Sequence, residues 1–475
     1  MRDRYESPLC ERYASARMQY IFSPDFKFTS WRKMWLYLAE AEKELGLDIT
    51  DEQLDEIRAH LNDVDYDAAA AYEKRLRHDV MAHLRAFADQ CPKAGPILHL
   101  GATSCYVGDN TDVWQLSEAL KSLRGQLLGV MAALSDFALK NADVPTLAYT
   151  HFQAAQPTTV GKRATLWLQD FLMDFDRLTF ELSRLKPLGC KGTTGTGASF
   201  LMLFNGDESK VRALEGLIAR KMGFESCVAV SGQTYTRKVD AFVLNVLSGI
   251  AQSASKMATD LRLLSHLKEF DEPFESEQVG SSAMAYKRNP MRSERVCSLA
   301  RYVMTDALNP AWTAATQWME RTLDDSANRR IALPEAFLAA DAILTLCRNL
   351  ISGGRVYPGV MRRHLNEEMP FMATENILMR AVELGGDRQK LHEKIREYSV
   401  ETAARVKLEG GENDLLDKLK ADPAFHLDDA ALAEILDVKQ FIGCAPSQTR
   451  AFVEEAVRPV LEACGDGDGA DEVRV

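Results

Sequence analysis

The sequence predicts an all-α protein centred on a bundle of long helices, and three observations predict it. Leu116, Leu120, Leu123, Leu127, Val130, Leu134 and Phe137 recur in steps of four and three, as do Val243, Leu247, Ile250, Ala254, Met257, Leu261 and Leu264. That spacing is the seam of helices packed almost parallel. Proline is absent from 97–144, 158–186 and 188–272. Those spans leave room for helices of ~30 residues, roughly 45 Å long. Period-two alternation is sparse, with only short strand candidates such as 226–231.

Taken in order, helical segments at 30–46, 51–61 and 65–90 precede breaks at Pro92 and Pro96 and form a first domain, 1–103. The bundle domain follows over 104–356, with a helix expected at 112–142. Another is expected at 158–186, where Val160, Ala164, Trp167, Phe171, Phe175, Leu178 and Leu182 keep a looser helical period. Past residue 356, Pro358, Pro370, Gly385-Gly386 and Gly410-Gly411 punctuate shorter helices in a third domain, 357–475. Its Gly/Asp-rich end, from about residue 465, is expected to be disordered. No repeat has the period of a solenoid or propeller.

A chain of 475 residues exceeds one small core, which agrees with several domains. The 69 acidic and 57 basic side chains leave a net charge of −12. That balance argues against nucleic acid as the main partner and requires any anionic substrate to be met by a local cluster of Arg and Lys. The nine cysteines are scattered and never spaced C-x-x-C, so neither a disulfide framework nor a zinc ribbon is expected. A charged start without an apolar core, and no apolar run of about 20 residues, point to a cytoplasmic protein without a membrane span.

Three segments carry chemistry. Gly280-Ser281-Ser282-Ala283-Met284-Ala285-Tyr286-Lys287-Arg288-Asn289-Pro290 reads on composition alone as an exposed linker of small residues ending in a basic pair. Thr150-His151-Phe152-Gln153 places a histidine in a loop before the 158–186 helix. A lone histidine is more often a structural hydrogen-bonding group than a catalyst. His99-Leu100-Gly101-Ala102-Thr103-Ser104 precedes the 112–142 helix. The glycine-rich stretch 191–199 lacks the G-K-[ST] ending of a P-loop and the third glycine of G-x-G-x-x-G, so a tight loop over substrate or between helices is the simpler reading. No metal-ligand spacing appears, and neither metal nor cofactor is expected.

Position for position, 280–289 resembles the G-S-x-x-M-x-x-K-x-N signature of the fumarase/aspartase superfamily. The His151 and His99 segments resemble its other two signature regions, in the same order. The chain departs at Ala285, where relatives commonly have Pro; losing that fixed φ should loosen the loop. Further segments resemble the adenylosuccinate lyase family, in the branch that includes the animal enzymes. They are Ser7-Pro8-Leu9 with Arg12-Tyr13, Lys74 to Asp79, Thr193 to Thr196, Gly232 to Tyr235 and Glu320 to Arg330.

The resemblance implies a fold of three helical domains whose bundles join into a homotetramer with shared active sites. It implies release of fumarate from succinylated purine nucleotides, with Ser281 as base and His151 as acid. It places Thr103, Ser104, Thr150, Gln233, Lys287 and Asn289 around the succinyl carboxylates. Arg12, Tyr13, Arg321, Ser326 and Arg330 fall at the phosphate, with Arg77, His78, Asp79 and Arg295 completing the nucleotide side. Arginine suits phosphate because its planar fork donates two bonds at once. A solvated helix face is the plain alternative for these arginines, and for Arg329 it is preferred. His78 suits either phosphate contact or proton transfer. An argininosuccinate-type lyase has no phosphate to bind, so the arginine set disfavours it. A catalytically silent relative is disfavoured by the retained His151 and Ser281. A Ser–Lys hydrolase built on Ser281 and Lys287 lacks an acyl-binding context.

Overall fold

The structure is a computed structural model and describes residues 3–275, 277–279, 283–284 and 286–465. It is all-α, as the periodicity predicts. Five helices form the centre: Ser104–Lys140, Val160–Arg184, Lys238–His266, Met291–Asp306 and Asp325–Gly353, here the first to fifth bundle helices. Every residue of both predicted seams is buried in one apolar cluster, together with Trp167, Phe171, Phe175 and Leu178 of the second helix. The helices form because their apolar stripes have each other to pack against; propensity alone is a weak term.

Cross-contacts fix the helix directions. Arg329 pairs with Asp112, and Gln126 donates to Asp341, so the first and fifth helices run parallel. Gly161 abuts the backbone of Ala138 and Ala142, which sets the second helix against the first. Trp167 Nε1 donates to Asp260 while Gly249 abuts Asp174, so the third helix opposes the second. Arg292 bonds Asn349 and Tyr302 bonds Glu335, so the fourth opposes the fifth. The first, third and fifth helices therefore all start at one end, the proximal end. The first helix, 37 residues long, carries the chain about 55 Å to the distal end.

Three helices, Pro24–Glu44, Asp51–Ala59 and Asp79–Gln90, build a second apolar cluster with Tyr106, Phe200, Leu214 and Ile218, and a fourth, Tyr66–Leu76, packs against the last of them. A third cluster lies within 373–435. Each of the four helices has a side-chain N-cap, from Ser23, Thr50, Asp65 and His78 respectively.

Several expectations are corrected. Residues 226–231 form no strand. The strands are instead Pro145–Thr150 paired antiparallel with Gln153–Thr159, and Phe270–Asp271 paired with Arg355–Val356. The helix expected over 65–90 is two helices. Arg77 adopts a left-handed conformation (φ 56°) and His78 caps the next helix, a break made without Gly or Pro. The helix expected from 112 begins at Ser104. Its polar stretch 108–112 reads as loop, yet Asp109, Asn110 and Thr111 are buried, and Asn110 clamps the backbone of Gly189 from both sides. Pro334 lies inside the fifth helix, where it removes the bond to the carbonyl of Arg330. The tail beyond residue 465 lies outside the described residues.

Candidate active site

The proximal end gathers one set of the predicted residues. Thr103 is the N-cap of the first bundle helix but makes no capping bond with its side chain, which leaves its hydroxyl for a ligand. Ser104 Oγ lies 3.2 Å from His78 Nε2. His78 Nδ1 accepts the backbone N–H of Met81 at 3.3 Å. A neutral ring accepting there must carry its proton on Nε2, so His78 donates to Ser104. Asp79 accepts from Arg330 Nη2 at 3.2 Å. Arg321 Nη1 reaches Cys105 Sγ at 3.0 Å, and that thiol points at Gln233 Oε1, 3.7 Å away. Burial, then the charge of Asp109, pushes the Cys105 thiol up to about 12, so it stays protonated. Arg77 precedes His78 at the same helix junction, and Ser326 sits in the first turn of the fifth helix.

Three chain segments are pressed together behind this set. A Cβ on Gly195 (φ +83°) would stand 1.9 Å from the carbonyl of Ser231, and one on Gly232 would stand 2.3 Å from that of Glu320. The Gln233 N–H donates to the same Glu320 carbonyl at 3.0 Å. The glycine-rich stretch is thus a tight packing loop between segments, and only glycine fits.

A buried ionic frame holds these elements in place. Arg237 binds Asp109 of the first helix through both Nη atoms (3.1 and 3.2 Å) and Asp325 of the fifth through Nε at 2.7 Å. Arg329 reaches Asp240 at 2.6 Å, Asp112 at 2.9 Å and the Tyr235 hydroxyl at 2.5 Å. The solvated-face reading of Arg329 is therefore wrong: the side chain is buried. Burial opposes its charge, yet Asp240, Tyr235 and Asp112 hold its pKa well above the ordinary value. Arg330, one residue on, points the other way and is exposed.

The distal end holds a second set. The two strands of 145–159 make a hairpin whose two-residue tip is His151-Phe152, both with positive φ (52° and 56°). This is the primed-turn geometry that Asn-Gly usually supplies, so the tip is strained. Thr150 ends the first strand and the His151 ring is exposed, with no hydrogen bond among the described residues. Lys287 and Asn289 lie just before the fourth helix. Arg295, in that helix, places its guanidinium 5.7 Å from the Tyr13 ring. Arg12 adjoins Tyr13, and this segment is pinned where Ser15 bonds Asp341 through both its N–H and its hydroxyl. Asp341 lies eleven residues, or about 16 Å, along the fifth helix from Arg330. The Arg12-Tyr13 segment runs along the middle of the fifth helix, where Glu335 also acts on Cys10, whereas the hairpin beyond the far end of the first helix keeps His151 of one chain away from its Ser104. Ser281 and Ala285 lie outside the described residues.

Some contacts here were not legible in the sequence. His99 accepts the Trp35 indole N–H on Nδ1 at 2.9 Å, and burial, then the neighbouring His78, holds its pKa down at about 4. Glu272 accepts the N–H groups of Arg292 and Ser293 at 2.9 and 2.7 Å, capping the fourth helix from across the signature loop. Neither position falls in a spacing that marks a partner. Among the described residues no group of three or more His, Cys, Asp or Glu could hold a metal.

The family pattern described as "Lyase" matches residues 25–305, and that described as "Adenylosuccinate lyase C-terminus" matches 370–452. The adenylosuccinate lyase of Saccharomyces cerevisiae is 50% identical over 463 residues, covering 97% of this chain and 96% of that one. That of Schistosoma mansoni is 48% identical over 466 residues, covering 98% and 97%. The chain belongs to the adenylosuccinate lyase family. Like the rest of the family it is a lyase, and its relatives include fungal and animal members. The fold is shared more widely. A 3-carboxy-cis,cis-muconate lactonizing enzyme from Pseudomonas putida superposes with a TM-score of 0.80 at 23% identity, covering 94% of this chain and 98% of that one. A fumarate lyase from Mesorhizobium sp. BNC1 gives 0.78 at 22%, covering 94% and 99%.

Proposed function

We propose that this lyase releases fumarate from adenylosuccinate to leave AMP, and from the succinylated aminoimidazole-carboxamide ribotide of purine synthesis, by general acid–base β-elimination. The observation that carries the reading is the proximal end. There Arg321 and Arg330 stand beside the N-terminus of a 37-residue helix, next to Ser104 and His78. Oriented N–H groups and guanidinium forks of this kind suit a substrate bearing both carboxylates and a phosphate.

In the reaction Ser281 takes the Cβ proton, and charge spreads into the carboxylate on that carbon, steadied by Lys287 and Asn289. The C–N bond then breaks, its electron pair passes to nitrogen, and His151 supplies the proton. Thr103, Ser104, Thr150 and Gln233 hold the succinyl carboxylates. Arg12, Tyr13, Arg321, Ser326 and Arg330 hold the phosphate, while Arg77, His78, Asp79 and Arg295 complete the nucleotide side. A serine hydroxyl is a weak base, and the Lys287 charge favours its ionised form.

The separation of the two sets supports a homotetramer whose sites draw on several chains. Leu166, Met173 and Phe180, seven residues apart on the second helix, form an exposed apolar stripe suited to helix packing between subunits. We place the enzyme in the cytoplasm. Purified protein given adenylosuccinate should release fumarate and AMP in equal amounts, followed by absorbance. Release of fumarate from argininosuccinate but not from adenylosuccinate would overturn the reading.

A further inference from the structure

Glu269 is fully buried, and no step of the elimination uses it. A buried carboxylate is tolerated only where partners compensate it, and its partners come from three separate elements. His364, from the Pro358–Met372 helix, places Nδ1 2.8 Å from Oε1. Thr146, at the base of the His151 hairpin, donates its hydroxyl to Oε2 at 3.4 Å. Arg163, in the first turn of the second bundle helix, lies 3.9 Å from Oε2. Arg163 Nη2 in turn donates to the carbonyl of Leu147 at 2.7 Å. That carbonyl sits where the strand register slips, between Leu147 and Tyr149. The hairpin is therefore held by a side-chain fork at the one place where its own ladder is interrupted. On its other side it rests on Leu365 and Met369 of the His364 helix, through Leu147 and Tyr149.

We propose that Glu269, with His364, is a positioning residue for the proton donor; this rests on the reading of His151 as general acid. The carboxylate neutralises Arg163, fixes Thr146, and so sets the angle at which the hairpin leaves the bundle. Five residues of strand separate Thr146 from His151, about 17 Å, so a tilt of ~5° at the base moves the tip by ~1.5 Å. A misplacement of that size is enough to lower turnover by up to about 100-fold.

Steady-state kinetics with adenylosuccinate on Glu269→Gln, His364→Ala, His151→Ala and the double variant Glu269→Gln/His151→Ala test this. Glu269→Gln should lower kcat at least ~10-fold with KM within about threefold, and His364→Ala should lower it by a smaller factor. The double variant should be no slower than His151→Ala alone, because Glu269 acts only through that residue. Wild-type kcat in Glu269→Gln, or a further large loss in the double variant, overturns the proposal. If Glu269→Gln does not fold, His364→Ala and His364→Ala/His151→Ala decide by the same two criteria. Wild-type turnover in His151→Ala would instead remove the general acid itself, and the positioning role with it.

Discussion

Replacing Glu42 by Gln should stabilise the protein at neutral and alkaline pH and leave it nearly unchanged at pH 5. Glu42 lies in the Pro24–Glu44 helix, fully buried, and neither carboxylate oxygen has a hydrogen-bond partner among the described residues. Burial pushes its pKa from 4.5 to about 8. Between those values the unfolded chain has lost the proton and the folded chain still holds it. The unfolded state binds fewer protons, so stability falls as pH rises, by about 1.36 kcal/mol per pH unit. Across the interval from 4.5 to 7 the loss is about 3 kcal/mol. For a chain of this size that corresponds to roughly 3 °C in Tm. Glutamine keeps the shape and polarity without the titration, so any fixed effect of the amide cancels in a pH series. Thermal unfolding at pH 5, 6, 7 and 8 should show the gap between variant and wild type opening steadily to about 3 °C. A gap of constant size would refute the reasoning, because it would mean that Glu42 does not titrate differently in the two states.

Arg321→Ala or Arg330→Ala should each weaken the nucleotide substrate by about 10- to 150-fold, from a charge-assisted bond of roughly 1.5–3 kcal/mol. Turnover of a dephosphorylated analogue should change far less, and equal losses on both would exclude a phosphate role. The adjacent Arg329→Ala should instead lower stability by about 3–5 kcal/mol, because it leaves Asp240 and Asp112 uncompensated. Denaturant unfolding of the Arg329 and Arg330 variants side by side checks the contrast. His151→Ala and Ser281→Ala proteins, each inactive, should regain part of the activity when dissociated and reassembled together. Hybrid tetramers confirmed by native mass spectrometry that stay inactive would rule out shared sites.

The long helices were legible because a four-three apolar rhythm survives every detail of tertiary packing, and all fourteen seam positions are buried. Elements set by contacts distant in sequence were not. The His151 hairpin has a turn of two bulky residues where a turn signal would need Asn or Gly, and its strands are supported by Arg163 and the Pro358–Met372 helix. The break at Arg77 likewise has no Gly or Pro to announce it. Arg329 and Arg330 are adjacent and identical in type, yet one is buried in an ionic frame and the other faces solvent. No local pattern separates them, since the difference lies in Asp112 and Asp240 on other helices. The candidate residues were legible one by one. Their division between two ends of a bundle was not, because sequence order does not reveal that Tyr13 lies beside Arg295 or that His151 lies at the opposite end from Ser104.

Pro334 gives the opening of the fifth helix a different mechanical status from the rest of it. With the bond to the Arg330 carbonyl missing, the segment 325–333 has one rung fewer tying it to the remainder, while Arg237 on Asp325 and Arg329 on Asp240 fasten it to the start of the third helix. Ser326 and Arg330 therefore ride on a short strut bolted to the first and third helices, while the rest of the fifth helix is packed by its apolar stripe. A helix bends most readily where a proline interrupts its ladder, and here that point lies between those two side chains and the body of the helix. Both ionic contacts that anchor this opening fall before Pro334, so they do not depend on how the rest of the helix is packed.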